Sequence, residues 1–194
     1  MAAGRPRAFC TDEALDKALT VFWEKGYEGA SLQDLTDAMG INRPSLYAAF
    51  GNKESLFLKA MDRYAEKNAC MIDFFNEPTA REAIEKLLYK MADKLSDPDT
   101  PKGCLIVIGA LACSDETSHI KKELAARRMH MQLLIQQRLE RAQEEGDLTA
   151  KANAASFARY ISTVTYGLSV QASSGATREQ LYEIIDITLT AWPK

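Results

Sequence analysis

Residues 31–56 constrain this chain more than any other stretch: Ser31-Leu32-Gln33-Asp34-Leu35-Thr36-Asp37-Ala38-Met39-Gly40-Ile41-Asn42-Arg43-Pro44-Ser45-Leu46-Tyr47-Ala48-Ala49-Phe50-Gly51-Asn52-Lys53-Glu54-Ser55-Leu56. They read as two short helices joined by a turn at Gly40-Ile41-Asn42. Ser31 and Asn42 stand where helix caps are needed, and Pro44 falls in a first turn, where its missing N–H costs nothing. Leu32, Leu35 and Met39 form the inward stripe of the first helix, and Leu46, Ala49 and Phe50 that of the second. The second helix, of about eight residues, is ~12 Å long, which matches the width of a DNA major groove. Its outward positions carry Arg43, Ser45, Tyr47 and Ala48, as expected of a helix-turn-helix recognition helix.

Each of these side chains has a chemistry suited to DNA. Arg43 can reach a guanine edge or a phosphate, and Ser45 can hydrogen-bond either. Tyr47 can offer its hydroxyl to a phosphate, while Ala48 offers only a methyl contact. Lys53, at the start of the following helix, combines an ammonium with exposed N–H groups as an anion site. Ser31 presents the same geometry at the start of its helix.

Bulk charge points the other way. The formal net charge is −3, and residues 1–60 carry seven Lys or Arg against eight Asp or Glu. A basic surface must therefore come from placement, with Arg5, Arg7, Arg43 and Lys53 at loop or helix-start positions. The longest apolar run, from Gly103 to Cys113, is far short of the roughly 20 residues of a membrane span. No apolar run of signal-peptide type follows the N-terminus, so the expected location is cytoplasmic and no membrane partner is expected. The cysteines at 10, 70, 104 and 113 are too scattered for a disulfide framework, and Cys104 and Cys113 would face opposite sides of one helix. Small buried hydrophobes are the expected reading, with redox sensing at Cys10 or Cys104 as the alternative.

No strand-like alternation persists, and the pattern gives an all-α chain of about nine helices. Thr11 is a plausible cap for a first helix ending at Gly26, and Asn52 for a fourth running to about Phe75. Thr79 with Glu82, and Thr177 with Gln180, form capping boxes opening the fifth and ninth helices. Between them lie a proline-bearing loop from Ser96 to Gly103 and a short apolar helix from Cys104 to Cys113. A long seventh helix follows, capped by Ser114 and ending at Gly146, and then an eighth over about 150–172. The eighth is apolar almost all round and must be covered on all sides, which points to pairing with a second copy of the chain.

The segments Phe22-Trp23-Glu24-Lys25-Gly26-Tyr27-Glu28, Ser31-Leu32-Gln33-Asp34-Leu35, Gly40-Ile41-Asn42-Arg43-Pro44-Ser45-Leu46-Tyr47-Ala48-Ala49-Phe50 and Asn52-Lys53-Glu54-Ser55-Leu56 resemble the tetracycline-repressor (TetR) family of bacterial transcriptional regulators. The resemblance implies a helix-turn-helix domain over 1–52 and a ligand-binding and dimerisation domain over 53–194, with helix 4 (about 53–75) as connector. It places Tyr47 and Lys53 at phosphate-contacting positions. Arg43, Ser45 and Ala48 take the base-reading face, Ser31, Asn42 and Pro44 are further candidate DNA-binding residues, and the arm bearing Arg5 and Arg7 resembles basic extensions of some members. Ala48 departs from the larger polar residue that many members carry.

The resemblance further implies a homodimer on an operator of double-stranded DNA, most simply a repressor released by a small-molecule effector, with helix 4 as the lever. Activation is the alternative within the family. The expected pocket is lined by Met61, Tyr64, Asn68, Met71, Phe74, Leu88, Met91, Ile106, Met129, Leu133, Phe157 and Tyr160, apolar enough for an apolar effector. The expected dimer face is Phe157, Ile161, Val164 and Leu168 with Leu181, Ile184, Ile185, Leu189 and Trp192. No cofactor and no metal is expected: His119 and His130, the two histidines, would lie ~16 Å apart along one helix. No catalytic constellation or phosphate loop is present, so an enzyme is not expected; a helical adaptor is the remaining alternative.

Overall fold

The computed structural model describes residues 9–111 and 117–193; the side chains of residues 70–73, 110 and 111 are not described. Among the described residues there are nine α-helices, one 3-10 helix and no strand. The chain forms two compact units, Met1–Lys67 and Asn68–Lys194. Arg5, Arg7, Cys113 and Ser114, and the side chains of Cys70 and Met71, lie outside the described residues.

The first unit holds α1 (Thr11–Gly29), α2 (Leu32–Met39), α3 (Arg43–Phe50) and α4 (Lys53–Lys67). α1 buries Ala14, Ala18, Leu19, Val21 and Phe22 at helical spacing. Thr11 is its first residue rather than its cap; Cys10 takes the cap position without a side-chain bond. Gly26 interrupts the helix with a positive φ of 70°, where a Cβ would be strained, and one further turn follows. α4 packs along α1. Phe57 meets Phe22 edge-on at 5.0 Å, Tyr64 meets Trp23 edge-on at 4.9 Å, and the Asp16 carboxylate accepts from Arg63 Nε at 2.9 Å. Lys67 Nζ adds a further ion pair to Asp16 at 2.8 Å.

The first unit therefore includes α4 whole, so the division falls after Lys67 rather than after residue 52. α4 also stops short of Phe75. Asn68, a poor helix former, follows its last residue, and the chain tightens into the 3-10 helix Ala69–Asn76.

Two carboxylates of the first unit sit well below their ordinary range. Asp16 is lowered by Arg63, against the opposing effect of burial, with further lowering from Lys67; Asp34 is lowered by Lys25 and by the hydroxyl and N–H of Ser31. Because the folded pKa is the lower one, their contribution is complete above the unfolded value of about 4 and is lost as pH falls toward the folded values. Urea midpoints are expected to fall below about pH 4, modestly because both ion pairs are partly exposed, and Asp16→Asn with Asp34→Asn should flatten that part of the acid limb. An unaltered limb in the double variant would refute the assignment.

The second unit contains the 3-10 helix, α5 (Ala80–Leu95), α6 (Leu105–Leu111), α7 (Ser118–Glu144), α8 (Ala154–Ser173) and α9 (Arg178–Thr190). α5 packs against the 3-10 helix, α7, α8 and α9, while α6 lies on α7 and α8. The capping boxes form as the spacing predicts: Thr79 with Glu82 at α5, and Thr177 with Gln180 at α9. Asn153 caps α8, accepting from Ser156 N–H at 2.8 Å, so this helix starts later than residue 150. Among the described residues no helix is long and apolar enough to cross a membrane.

Candidate nucleic-acid interface

The turn between α2 and α3 is set by hydrogen bonds that the sequence makes available locally. Ser31 Oγ accepts from Asp34 N–H at 3.0 Å, and the Asp34 carboxylate accepts from Ser31 N–H at 2.9 Å, closing a capping box. At the other end Gly40 adopts the left-handed conformation at φ 67°. Its N–H donates to Asp37 O and that of Ile41 donates to Thr36 O, the pair of bonds that ends a helix sharply. Asn42 Oδ1 then accepts from Ser45 N–H at 2.9 Å and starts α3.

α3 is anchored by Leu46 and Phe50, both buried, against the core of the unit. Pro44, Tyr47 and Ala48 occupy an outward arc of about 100° and are exposed, Tyr47 at 49%. Arg43 extends from the first position of the helix and is exposed; Ser45 is half-buried at the edge. A short helix held from behind, with a cation at its tip and a tyrosine hydroxyl on its face, can enter a groove and contact bases and phosphates together.

Three expected contacts are more committed internally than the sequence suggested. The Ser31 hydroxyl donates to Asp34 Oδ2 at 2.7 Å, and Lys25 Nζ donates to Asp34 Oδ1 at 2.6 Å, so a carboxylate already occupies the start of α2. The Asn42 side chain is spent on its cap. Lys53 is half-buried with its ammonium 4.6 Å from the Tyr27 ring centroid, and burial lowers its pKa against the opposing Glu28 carboxylate. The structure adds one neighbour that helical spacing does not mark: Gln33 on α2, whose Oε1 lies 3.5 Å from Arg43 Nη2.

The residues expected to line a pocket are divided between the two units. Met61 and Tyr64 are buried in the first unit, whereas Phe74 and Leu88 belong to the core of the second, with Met91 and Phe157 packed against it. Asn68 and Ile106 are half-buried. Met129, Leu133 and Tyr160 are exposed, Met129 at 70%. The buried stripe of α7 runs through Ile120, Leu124, Ile135 and Leu139, and around the helix Met129 lies about 130° from it and Leu133 about 170°. A shallow cleft at the start of α9 is lined by Ser96, Pro98, Lys102, Ala176, Thr177 and Arg178, none of them an expected pocket residue.

The expected dimer residues divide likewise. Ile161, Leu168, Leu181, Ile185 and Leu189 are buried in the core of their own chain, because α5, α7, α8 and α9 close on one another there. Phe157, Val164, Ile184 and Trp192 are half-buried at its edge. The outward apolar positions are instead Tyr160 and Val170 on α8 and Ile187 on α9. Cys10 is exposed and Cys104 half-buried, its N–H donating to Ser169 Oγ at 2.8 Å. His119 and His130 are both exposed on α7.

Comparison with known proteins agrees with this geometry. Residues 14–60 match the family described as bacterial regulatory proteins, tetR family, and residues 80–185 match the tetracyclin repressor-like C-terminal domain. The HTH-type transcriptional repressor ComR of Escherichia coli K12 is 34% identical over 194 residues, spanning 98% of this chain and 92% of that protein. The transcriptional regulator YezE of Bacillus subtilis 168 is 32% identical, spanning 96% of this chain and 98% of that one. A cysteine mutant of the TetR family regulator CifR, solved with 26-bp double-strand operator DNA, is 41% identical and superposes with a TM-score of 0.95, covering 98% of this chain and all of the other. The chain belongs to the TetR family of bacterial transcriptional regulators, which are DNA-binding proteins rather than enzymes.

Proposed function

We propose that this protein is a cytoplasmic transcriptional repressor that binds a palindromic operator as a homodimer and is released by a small, largely apolar effector. The observation that carries this reading is the outward face of α3, with Arg43 and Tyr47 exposed over the buried anchors Leu46 and Phe50. The similarity to ComR, a repressor, and to CifR bound to operator DNA supports it. Two recognition helices must lie about 34 Å apart to enter successive major grooves, which a dimer achieves. An effector that changes that spacing must favour the released state by up to ~5.5 kcal/mol for a complete reversal. The half-buried apolar residues Met91, Ile106 and Phe157 of the second unit are the side chains offered for it.

The test is a gel shift on the DNA upstream of the gene, with the operator then defined by selection from randomised duplexes. Tyr47→Phe removes one hydroxyl from the exposed face of α3. It is expected to weaken binding about ten- to hundredfold across all sequences, the effect of losing one charge-assisted hydrogen bond to phosphate. Unchanged affinity would remove Tyr47 from the interface.

Dimerisation through the outer faces of α8 and α9 has its own test. Ile187 is 70% exposed, so Ile187→Glu leaves the core of the chain intact while placing a charge in the proposed interface. Analytical ultracentrifugation should show a monomer with full helical content and no measurable operator binding. A dimer that persists would move the interface elsewhere.

A further inference from the structure

We propose that Gln33 and Asp37 of α2 position the Arg43 guanidinium, so that α2 as well as α3 determines which base pair the operator presents at Arg43. The inference rests on the reading that the start of α3 meets the edges of base pairs. Its evidence is a line of three exposed side chains running from one helix to the next. Gln33 Nε2 donates to Asp37 Oδ1 at 2.8 Å, and Arg43 Nη2 donates to Gln33 Oε1 at 3.5 Å.

The order of the three sets the orientation. A carboxylate only accepts, so Asp37 draws the NH₂ of the Gln33 amide toward itself. The carbonyl oxygen of Gln33 must then turn the other way, toward Arg43. Without Asp37 the amide could flip and present NH₂ to a guanidinium, which has no acceptor. The relay directs one donor of Arg43 toward Gln33 and leaves the remaining donors for the DNA. Bidentate reading of a guanine edge requires such a fixed fork, whereas attraction to phosphate does not.

Asp37 has two local costs. It lies in the last turn of α2, where a carboxylate opposes the helix dipole, and it brings negative charge to a DNA-facing element. Both costs lower stability or overall affinity, and neither is returned by packing, because the residue is exposed. A gain in selectivity accounts for both: the carboxylate repels the backbone and holds Arg43, through Gln33, away from the phosphates.

The experiment uses the full chain and duplexes selected from a pool with randomised centres. Binding of wild type, Arg43→Ala, Gln33→Leu, Asp37→Asn, Gln33→Glu and the Gln33→Leu/Arg43→Ala double variant is measured on a panel in which each operator base pair is replaced in turn. Arg43→Ala is expected to flatten the preference at one base pair per half-site by about 5- to 150-fold, the range of one lost bidentate contact. Gln33→Leu should reduce preference at that same base pair, and the double variant should add nothing to Arg43→Ala. Asp37→Asn should reduce it too while tightening binding to non-operator duplex. Gln33→Glu, which keeps an acceptor against Arg43, should retain it.

If Arg43→Ala leaves every preference unchanged, the base-reading role of Arg43 fails and the inference with it. If Arg43→Ala flattens a position that Gln33→Leu leaves intact, the role of Arg43 stands and the relay is refuted. A changed preference at a different base pair in Gln33→Leu or Gln33→Glu would make Gln33 a direct reader and overturn the positioning role. Circular dichroism melting of each variant confirms that these exposed changes leave the fold in place.

Discussion

Phe57→Ala is expected to destabilise the first unit by about 3–5 kcal/mol, the cost of truncating a fully buried phenylalanine. Phe57 is fully buried and stands between two aromatic rings, edge-on to Phe22 at 5.0 Å and to Tyr27 at 5.1 Å. Tyr27 in turn carries the Lys53 ammonium, so the cavity would loosen the start of α4 as well as its contact with α1. A whole domain is stable by only about 5–15 kcal/mol, and a unit of this size lies toward the low end. The variant should therefore be largely unfolded in the DNA-binding half at 37 °C and inactive on DNA, although no proposed DNA contact has been touched. Trp23, edge-on to Tyr64 between α1 and α4, gives a fluorescence signal from this unit during urea denaturation. A loss below about 1 kcal/mol would mean that neighbouring rings collapse into the space, which the spread of such measurements allows only for adaptable sites.

Replacing Arg138 by methionine is expected to act in the opposite direction. Arg138 on α7 is 1% exposed, and its Nε and Nη1 find no hydrogen-bond acceptor among the described residues. Its Nη2 donates to the Glu77 carbonyl at 3.1 Å, and the Glu145 carboxylate stands 3.9 Å from Nη1, beyond hydrogen-bond range. Burial pushes the guanidinium below its ordinary pKa, with Arg141 adding to the effect and Glu145 and Asp147 opposing it. Exchanging a poorly compensated buried charge for an apolar side chain of similar length commonly stabilises by ~1–4 kcal/mol. The lost bond to Glu77 offsets about 1 kcal/mol of that. Arg138→Met should therefore match or exceed wild type in urea midpoint, whereas Arg138→Ala should fall by about 2 kcal/mol or more through the cavity it leaves. A methionine variant clearly less stable than wild type would show the guanidinium to be an essential clasp on the 3-10 helix, whose Phe75 carbonyl Arg141 also holds.

Much of the architecture is legible in the sequence. The caps at Ser31, Asn42, Thr79 and Thr177 and the turn at Gly40 follow from the sequence, because each depends on residues within four or five positions. The same local logic marked the outward residues of α3 and the buried Leu46 and Phe50. It misjudged the end of α4, where Phe74 and the residues before it continue an apolar pattern but the backbone tightens past Asn68. It also assigned Ile161, Leu168 and Leu181 to a partner copy when α5, α7, α8 and α9 cover them within one chain. Periodicity shows that a face is apolar, and nothing in it says what covers that face.

The sequence by itself determined an all-helical chain, a helix-turn-helix at residues 31–50 and the side chains that helix turns outward, since these follow from spacing along one chain segment. Only the tertiary structure decided that Lys53 rests on Tyr27 and that Gln33 stands beside Arg43. The Gln33–Arg43 and Lys53–Tyr27 contacts join residues 10 and 26 positions apart, and their distance is set by how helices pack rather than by the rise of any one of them.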